Sequence, residues 1–404
     1  MIDLASYING FPFKPSDWSE TGLPIVRIAQ ITGSSTEFDY FRGSINHLYK
    51  LENGDIVFSW SGTLCVVRWR GGQAWLNQHL FRVIPSPNID NDFFFHLLSH
   101  AVENMEKSAH GSTMKHIKRG ELKKYNVATP VWLEEQQKIA QILDTLDIQI
   151  QKTEALIAKL EKIKEGLLHD LLSRGIDQNG QLRPTPEQAP ELYKESALGL
   201  IPRGWQCESL SSLSTGISYG FTNPMPTTSE GPWMITAADV NHGQINYARA
   251  RRTRRFDYTK LSSKSKPNLG DILVTKDGTL GRIAVVDKED LCINQSVASF
   301  RPRDAKMTKY LSLYLSAPLG QTMMLADAGG STIKHLYVSK LSNLAVPVPP
   351  PEESEKVAWA LSIHEERVES ERGSLSNLKL LKEGLMDDLL TGHVRVTPLL
   401  KDAV

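Results

Sequence analysis

Residues 134–173 read EEQQKIAQILDTLDIQIQKTEALIAKLEKIKEGLLHDLLS, and residues 352–391 read EESEKVAWALSIHEERVESERGSLSNLKLLKEGLMDDLLT. The second stretch repeats the first at a constant offset of 218, without a gap. Lys164-Glu165-Gly166-Leu167 returns as Lys382-Glu383-Gly384-Leu385, and Asp170-Leu171-Leu172 as Asp388-Leu389-Leu390. Apolar residues of the first stretch fall at Ile139, Leu143, Leu146, Ile150, Ile157, Leu160, Ile163, Leu167 and Leu171. Steps of three and four put them on one helix face. The equivalent positions of the second stretch are Val357, Leu361, His364, Val368, Leu375, Leu378, Leu381, Leu385 and Leu389. Neither stretch contains a proline, so each predicts one unbroken helix of about 60 Å at ~1.5 Å per residue. A narrow apolar stripe on so long a helix is a coiled-coil seam, and each stripe has a twin to face. The polar residues His364 and Glu371, where the first stretch has Leu146 and Thr153, either fix the register or face a partner.

The sequence before each helix repeats as well. Gly54-Asp55-Ile56 and Gly62-Thr63-Leu64 return as Gly270-Asp271-Ile272 and Gly278-Thr279-Leu280, at an offset of 216. Asn77-Gln78 returns as Asn294-Gln295, and Gly111-Ser112-Thr113-Met114-Lys115-His116 as Gly330-Ser331-Thr332-Ile333-Lys334-His335. Between these landmarks the halves differ strongly. Residues 23–28, 55–58 and 65–69 read as strands, and the two Gly-Thr pairs read as hairpin turns. Residues 92–105 read as a helix capped by Asp92. The resulting fold class is α+β. Two similar globular domains at 1–133 and 201–351 are separated by two long helices, 134–173 and 352–391, paired as an antiparallel coiled coil with a pseudo-two-fold internal repeat. A linker at 174–200, rich in proline, and a tail at 392–404 complete the chain.

At 404 residues, with 40% hydrophobic and 23% charged residues, the composition is that of an ordinary soluble protein of two or three domains. The start, MIDLASYING, lacks a signal-peptide pattern, and no apolar run is long enough for a bilayer. Three scattered cysteines, Cys65, Cys207 and Cys292, form no CxxC, which fits a cytoplasmic location and argues against a zinc site. Walker A, HExxH and GxSxG patterns are absent. Asn223-Pro224-Met225-Pro226 departs from the Asn-Pro-Pro-aromatic motif of amino-methyltransferases at its last two positions. The residues therefore predict a chain that is not an enzyme by itself.

Basic residues are concentrated locally, although Lys plus Arg and Asp plus Glu both number 46. Arg249, Arg251, Arg252, Arg254 and Arg255 fall within seven residues that contain no acid. Arginine suits phosphates and the guanine edge, so this run predicts contact with nucleic acid. The competing reading is a solvated hairpin whose arginines pair with carboxylates. Lys276 adds to the basic set of the second domain. The first domain offers Arg27, Arg68 and Arg70. The paired Gly-Ser-Thr-x-Lys-His segments admit two readings: a helix cap, or a loop in which Lys115 with His116, and Lys334 with His335, face phosphates.

Two variable α+β domains, each closing with this segment, lead into helices that begin EEQQKIA and end KEGLLHDLL, and the second domain opens with GLIPRGW at 199–205. In this the chain resembles the specificity subunit of type I restriction–modification enzymes over nearly its whole length. The resemblance implies two target recognition domains, each reading one half of a bipartite, asymmetric site in double-stranded DNA. It implies a coiled coil that spaces them and docks two modification subunits, which restriction subunits join. S-adenosylmethionine, ATP and Mg are implied for those partners, and no cofactor for this chain. The first domain lacks a GLIPRGW-like opening, and the tail is expected either to supply the missing edge or to leave that domain shorter. The competing class is a coiled-coil scaffold with two protein-binding domains and no nucleic-acid role.

Overall fold

The computed structural model describes residues 1–108, 119–241, 243–326 and 335–400. The two long helices span Leu133–Ser173 and Pro351–Leu390. The chain divides into two compact units, Met1–Ala155 with Arg372–Val404, and Leu156–Glu371. Each long helix therefore gives one half of itself to each unit, so compactness does not follow the expected division into domains and separate spacer helices.

The first unit holds eight strands among its described residues: β1 (Ala5–Asn9), β2 (Leu23–Val26), β3 (Tyr40–Phe41), β4 (Lys50–Leu51), β5 (Ile56–Ser59), β6 (Cys65–Arg68), β7 (Ala74–Leu76) and β8 (Leu80–Pro85). One sheet runs β1-β8-β5-β6 and is antiparallel throughout. A second runs β3-β2-β7-β4, with β2 and β7 parallel. The helix Asn91–Ser108 covers the first sheet. Its Phe93, Phe94, Leu97, Leu98 and Ala101 join Ile56, Phe58, Phe81 and Val83 in one core. Asp90, rather than Asp92, caps this helix, its Oδ1 accepting from the Phe93 amide at 2.9 Å. The same core receives Ile139, Ala140 and Leu143 from the first long helix, and Met386, Leu389 and Leu390 from the second. The ends of the seam are thus buried in a domain core as well as against each other.

The second unit repeats this plan. It contains β9 (Tyr193–Ser196), β10 (Gly199–Pro202), β11 (Gln206–Ser209), β12 (Ser214–Tyr219), β13 (Thr228–Ile235), β14 (Val240–Asn241), β15 (Gln244–Ile245), β16 (Arg251–Arg252), β17 (Ile272–Thr275), β18 (Ile283–Val285), β19 (Leu291–Ile293), β20 (Val297–Pro302) and β21 (Ala345–Val348). The sheet β12-β20-β17-β18 matches β1-β8-β5-β6, and β16-β13-β19, with β13 and β19 parallel, matches β3-β2-β7. Gly62 and Gly278 sit in the β5–β6 and β17–β18 hairpins at φ of 71° and 77°, a conformation glycine adopts without strain. Val357, Ala358 and Leu361 of the second long helix, with Leu171 and Leu172 of the first, enter the core around Phe300, Tyr310 and Tyr314.

Within each unit the two helix segments run antiparallel, as ion pairs show in the first and the ion pair Lys164–Glu365 with the shared core of Leu171, Leu172, Val357 and Ala358 shows in the second. In the first unit Asp147 pairs with Lys382, and Glu154 with Lys379. In the second, Lys164 and Lys309 converge on Glu365, while His364 Nε2 lies 3.1 Å from the Leu160 carbonyl oxygen. That contact makes His364 a register-fixing residue. Ile163 and Leu381, expected in the seam and equivalent to one another, are 41% and 51% exposed. A straight 3.6-residue helix drifts off a strict seven-residue stripe, and these positions have rotated out of it.

One arrangement occurs once per unit. Glu353, at the start of the second long helix, accepts a bidentate pair from Arg183 in the chain that leaves the first; the Arg183 Nη2 to Oε2 distance is 2.9 Å. The same carboxylate accepts from the Ile176 amide at 3.0 Å. Glu135, at the start of the first long helix, accepts from Arg395 in the chain that leaves the second, at 2.7 and 2.6 Å. The tail therefore does for the first unit what the linker does for the second. It adds Val396 to the core and Arg395 to the clamp. It supplies no strand among the described residues, whereas the second unit has the extra pairing of β11 with β21.

Glu353→Ala leaves the Arg183 guanidinium and the Ile176 amide without their acceptor and is expected to cost about 3 kcal/mol. Thermal unfolding of the purified chain measures it. Hydrogen bonds from Arg395 hold the Glu135 carboxyl below its usual value of about 4.5 against the opposing effect of burial. The clamp's contribution is thus complete above about pH 4.5 and is lost as pH falls through the lower folded value. A melting temperature that stays level from pH 6 to pH 3 would contradict this.

Candidate nucleic-acid interface

Each domain carries a main-chain seat where the segment leaving β1, or its counterpart β12, crosses the Asn-Gln pair. In the first unit the Gly10 amide donates to the Leu80 carbonyl at 3.0 Å, Phe11 to Leu76 at 2.9 Å, and Gln78 to Phe11 at 2.9 Å. In the second, Gly220 donates to Val297 at 3.3 Å, Phe221 to Ile293 at 3.0 Å, and Gln295 to Phe221 at 2.8 Å. A Cβ on Gly10 would lie 2.1 Å from the Asn77 carbonyl oxygen, and one on Gly220 1.7 Å from that of Ile293. Only glycine fits either place. The Asn-Gln pairs are visible landmarks of the sequence repeat. Their Gly-Phe partners recur at an offset of 210, outside the register of the other landmarks, and are recognised only from the structure.

In the second unit the seat floors a cleft of about 220 Å³ lined by Phe221, Asn223, Met234, Arg251 and Gln295, among others. The arginine run lies beside it, and its members have different environments. Arg252 stacks on Trp233 at 3.5 Å from the ring centroid. Arg254 pairs with Asp257 at 2.7 Å. Arg255 grips Asp290 with both terminal nitrogens, Nη2 at 2.6 Å from Oδ2. The carboxylate-paired reading thus describes Arg254 and Arg255. Arg249 and Arg251 are exposed and have no side-chain partner among the described residues. Lys276 pairs with Asp277 at 2.8 Å, and His335 Nδ1 lies 2.6 Å from the same carboxylate. Burial pushes the Asp277 carboxyl up, but the hydrogen bonds from Lys276 and His335 outweigh it and hold the carboxyl below its usual range.

The first unit uses its arginines differently. Arg27 forms an ion pair with Asp39 and lies 5.1 Å from the Trp18 ring centroid. Arg68 is engaged by acids of its own unit. It hydrogen-bonds Asp144 of the first long helix at 2.7 Å, forms an ion pair with Asp92 at 3.1 Å, and lies 4.2 Å from the Phe95 ring centroid. The reason is proximity of unlike charge at a packed junction, which makes Arg68 a packing residue. His96, Asp144 and Asp147 stand close enough to hold a cation, with ligand atoms within 4.8 Å. Arg68 and Lys382 already neutralise these carboxylates, and burial keeps the His96 imidazole below its ordinary pKa, so the group is an internal ion network. Arg70 is exposed. Lys115, His116 and Lys334 lie outside the described residues.

The family description "type I restriction modification DNA specificity domain" matches residues 3–162 and 226–380. The chain belongs to this family, and its role in such a system is DNA sequence recognition without catalysis of its own. It is 28% identical over 371 residues to the type I restriction enzyme EcoBI specificity subunit of Escherichia coli, covering 88% of this chain and 76% of that one. It is 24% identical over 410 residues to the putative MjaX specificity subunit of Methanocaldococcus jannaschii, covering 96% and 91%. Its fold is that of the type I restriction–modification S subunit of M. genitalium, with a TM-score of 0.57 at 15% identity over 96% of this chain and 94% of that one. A chain from a structure of a type I system's assembly and conformational transition gives 0.54 at 17% identity, covering 97% and 98%. Nothing in these relatives supports the scaffold alternative. Among the described residues, no helix is long and apolar enough to cross a membrane.

Arg68→Ala is expected to lower stability by about 3 kcal/mol, because it strips the partner from half-buried carboxylates. It should leave the salt dependence of DNA binding by the folded assembly unchanged. A flatter salt slope in a filter-binding titration would return Arg68 to the DNA-contacting set.

Proposed function

We propose that each unit reads one half of a bipartite, asymmetric DNA site, and that the paired helices set the spacing and dock two modification subunits, to which restriction subunits bind. The carrying observation is the duplication itself: one α+β plan occurs twice, with the same seat and clamp but different exposed side chains around them. The partners bring S-adenosylmethionine, ATP and Mg, and the assembly works in the cytoplasm. Support for docking comes from apolar side chains on the solvent side of the second long helix. Trp359 and Ile363, one turn apart, are 68% and 46% exposed. Contiguous exposed apolar surface of this kind marks a protein interface. A formal net charge of zero further implies that the chain alone holds DNA weakly.

Binding of a target duplex is therefore expected to tighten sharply when the modification subunits are added; equal affinity with and without them would sink the reading. Trp359→Asp with Ile363→Asp should abolish co-purification of those subunits while leaving the chain's melting temperature within a few degrees of wild type. Inserting residues near Glu154 should change the number of base pairs between the methylated half-sites, at about 3.4 Å per base pair. Mapping of methylated sites that returns the original spacing would refute the spacer role.

A further inference from the structure

We infer that Arg251 is the residue through which the second domain reads a guanine in its half-site, with Asn223 and Gln295 completing the base-reading set in the same cleft. The inference rests on the proposed DNA-reading function and assigns it to a side chain.

Four observations lead here. Arg251 lies on β16 directly opposite Met234 of β13, so both side chains leave the same face of the sheet and enter the cleft above the Gly220-Phe221 seat. Of the rest of the basic run, Arg252 is stacked on Trp233, Arg254 is tied at Nε to Asp257 and Arg255 is held by Asp290, and neither these three nor Arg249 is among the residues that line the cleft. Among the described residues Arg251 is the only cation lining the cleft, and it is accompanied by the exposed amides of Asn223 and Gln295 over an apolar floor of Phe221 and Met234. A phosphate site gathers several cations. One guanidinium with two primary amides offers the mixture of donors and acceptors that base edges need, and a free arginine fork matches guanine O6 and N7.

The fourth observation is the first unit's version of the same place. The Asn77 and Asn294 bridges align β7 with β19 and β2 with β13, so that Ile25 corresponds to Met234 and Arg27 to Thr236. The residue opposite Ile25 is Asp39, whose carbonyl accepts from the Ile25 amide at 2.8 Å; it occupies the place of Arg251. There Arg27 and Asp39 neutralise each other. One fold position is thus an open guanidinium in one domain and a closed ion pair in the other, and only the second domain reads guanine through it.

The test uses the full chain assembled with its modification subunits, methylating a duplex library randomised over the second half-site, with sequencing as the readout. Arg251→Ala and Arg251→Lys should each lower discrimination for guanine at one position by about tenfold to a hundredfold. Preference at the other positions, and the whole first half-site, should be retained. The lysine variant keeps the charge and loses the fork, so its failure to rescue separates base reading from phosphate contact. Arg255→Ala should leave the recognised sequence unchanged, and the melting temperatures of the Arg251 variants confirm folding. A uniform loss of methylation on all sequences with an unaltered motif would overturn the inference in favour of a phosphate contact. An unaltered motif and rate would overturn it in favour of a solvated arginine. If the wild-type assembly itself showed no sequence preference, the DNA-reading function would fail, an outcome distinct from either.

Discussion

The buried carboxylate at the start of each long helix is the constraint on which the rest depends. Glu135 and Glu353 are almost wholly removed from solvent, with side-chain exposures of 0% and 9%. An isolated carboxylate could not be buried there. It is tolerated because an arginine arrives with a matching planar fork, and because a helix N-terminus favours negative charge. Each arginine comes from the chain leaving the opposite helix, so the clamp forms only when both helices are in register. The seam alone specifies register weakly, since it contains His364 and Glu371 and leaves Ile163 and Leu381 exposed. The clamps, the His364 contact to the Leu160 carbonyl and the cross-helix lysine pairs supply what the apolar stripe lacks.

A frame fixed in this way lets the domain surfaces diverge. At one pair of equivalent positions the first unit joins Trp60 Nε1 to Asn9 Oδ1 at 3.2 Å, while the second sets the Lys276 ammonium over the Tyr219 ring at 5.6 Å. At another, Arg27 with Asp39 answers Thr236 with Arg251. In neither case does the supporting strand order change. The side chains differ in charge and shape, while the main-chain hydrogen bonds beneath them remain the same.

Much of the frame is legible in the sequence. Both long helices lie within a residue of the stretches that the apolar period marks, because a 40-residue helix carries many repeats of its signal and no proline. The hairpin turns are legible because glycine at positive φ is a local requirement. The use of each arginine is not. Arg255 meets Asp290 across 35 residues and Arg68 meets Asp144 across 76, so a window around either arginine holds no trace of these acids. The clamp lies between these extremes. Arg183-Pro184-Thr185-Pro186 and Arg395-Val396-Thr397-Pro398 are a second repeat, at an offset of 212, concealed because the connection after the second helix is shorter.

The Gly-Phe seat has a consequence for how such a protein changes over generations. Its hydrogen bonds run between amides and carbonyls, and its one strict demand on residue type is the absence of a Cβ at Gly10 and Gly220. Mutation can therefore replace the neighbouring rim, at Asn223, at Asp39 or Arg251, and at Gln78 or Gln295, without disturbing the register of the strands beneath. Divergence is channelled toward side chains that meet the outside and away from those that hold the chain together. Two halves that began alike could acquire unlike preferences by substitution alone, each variant on the way still folding.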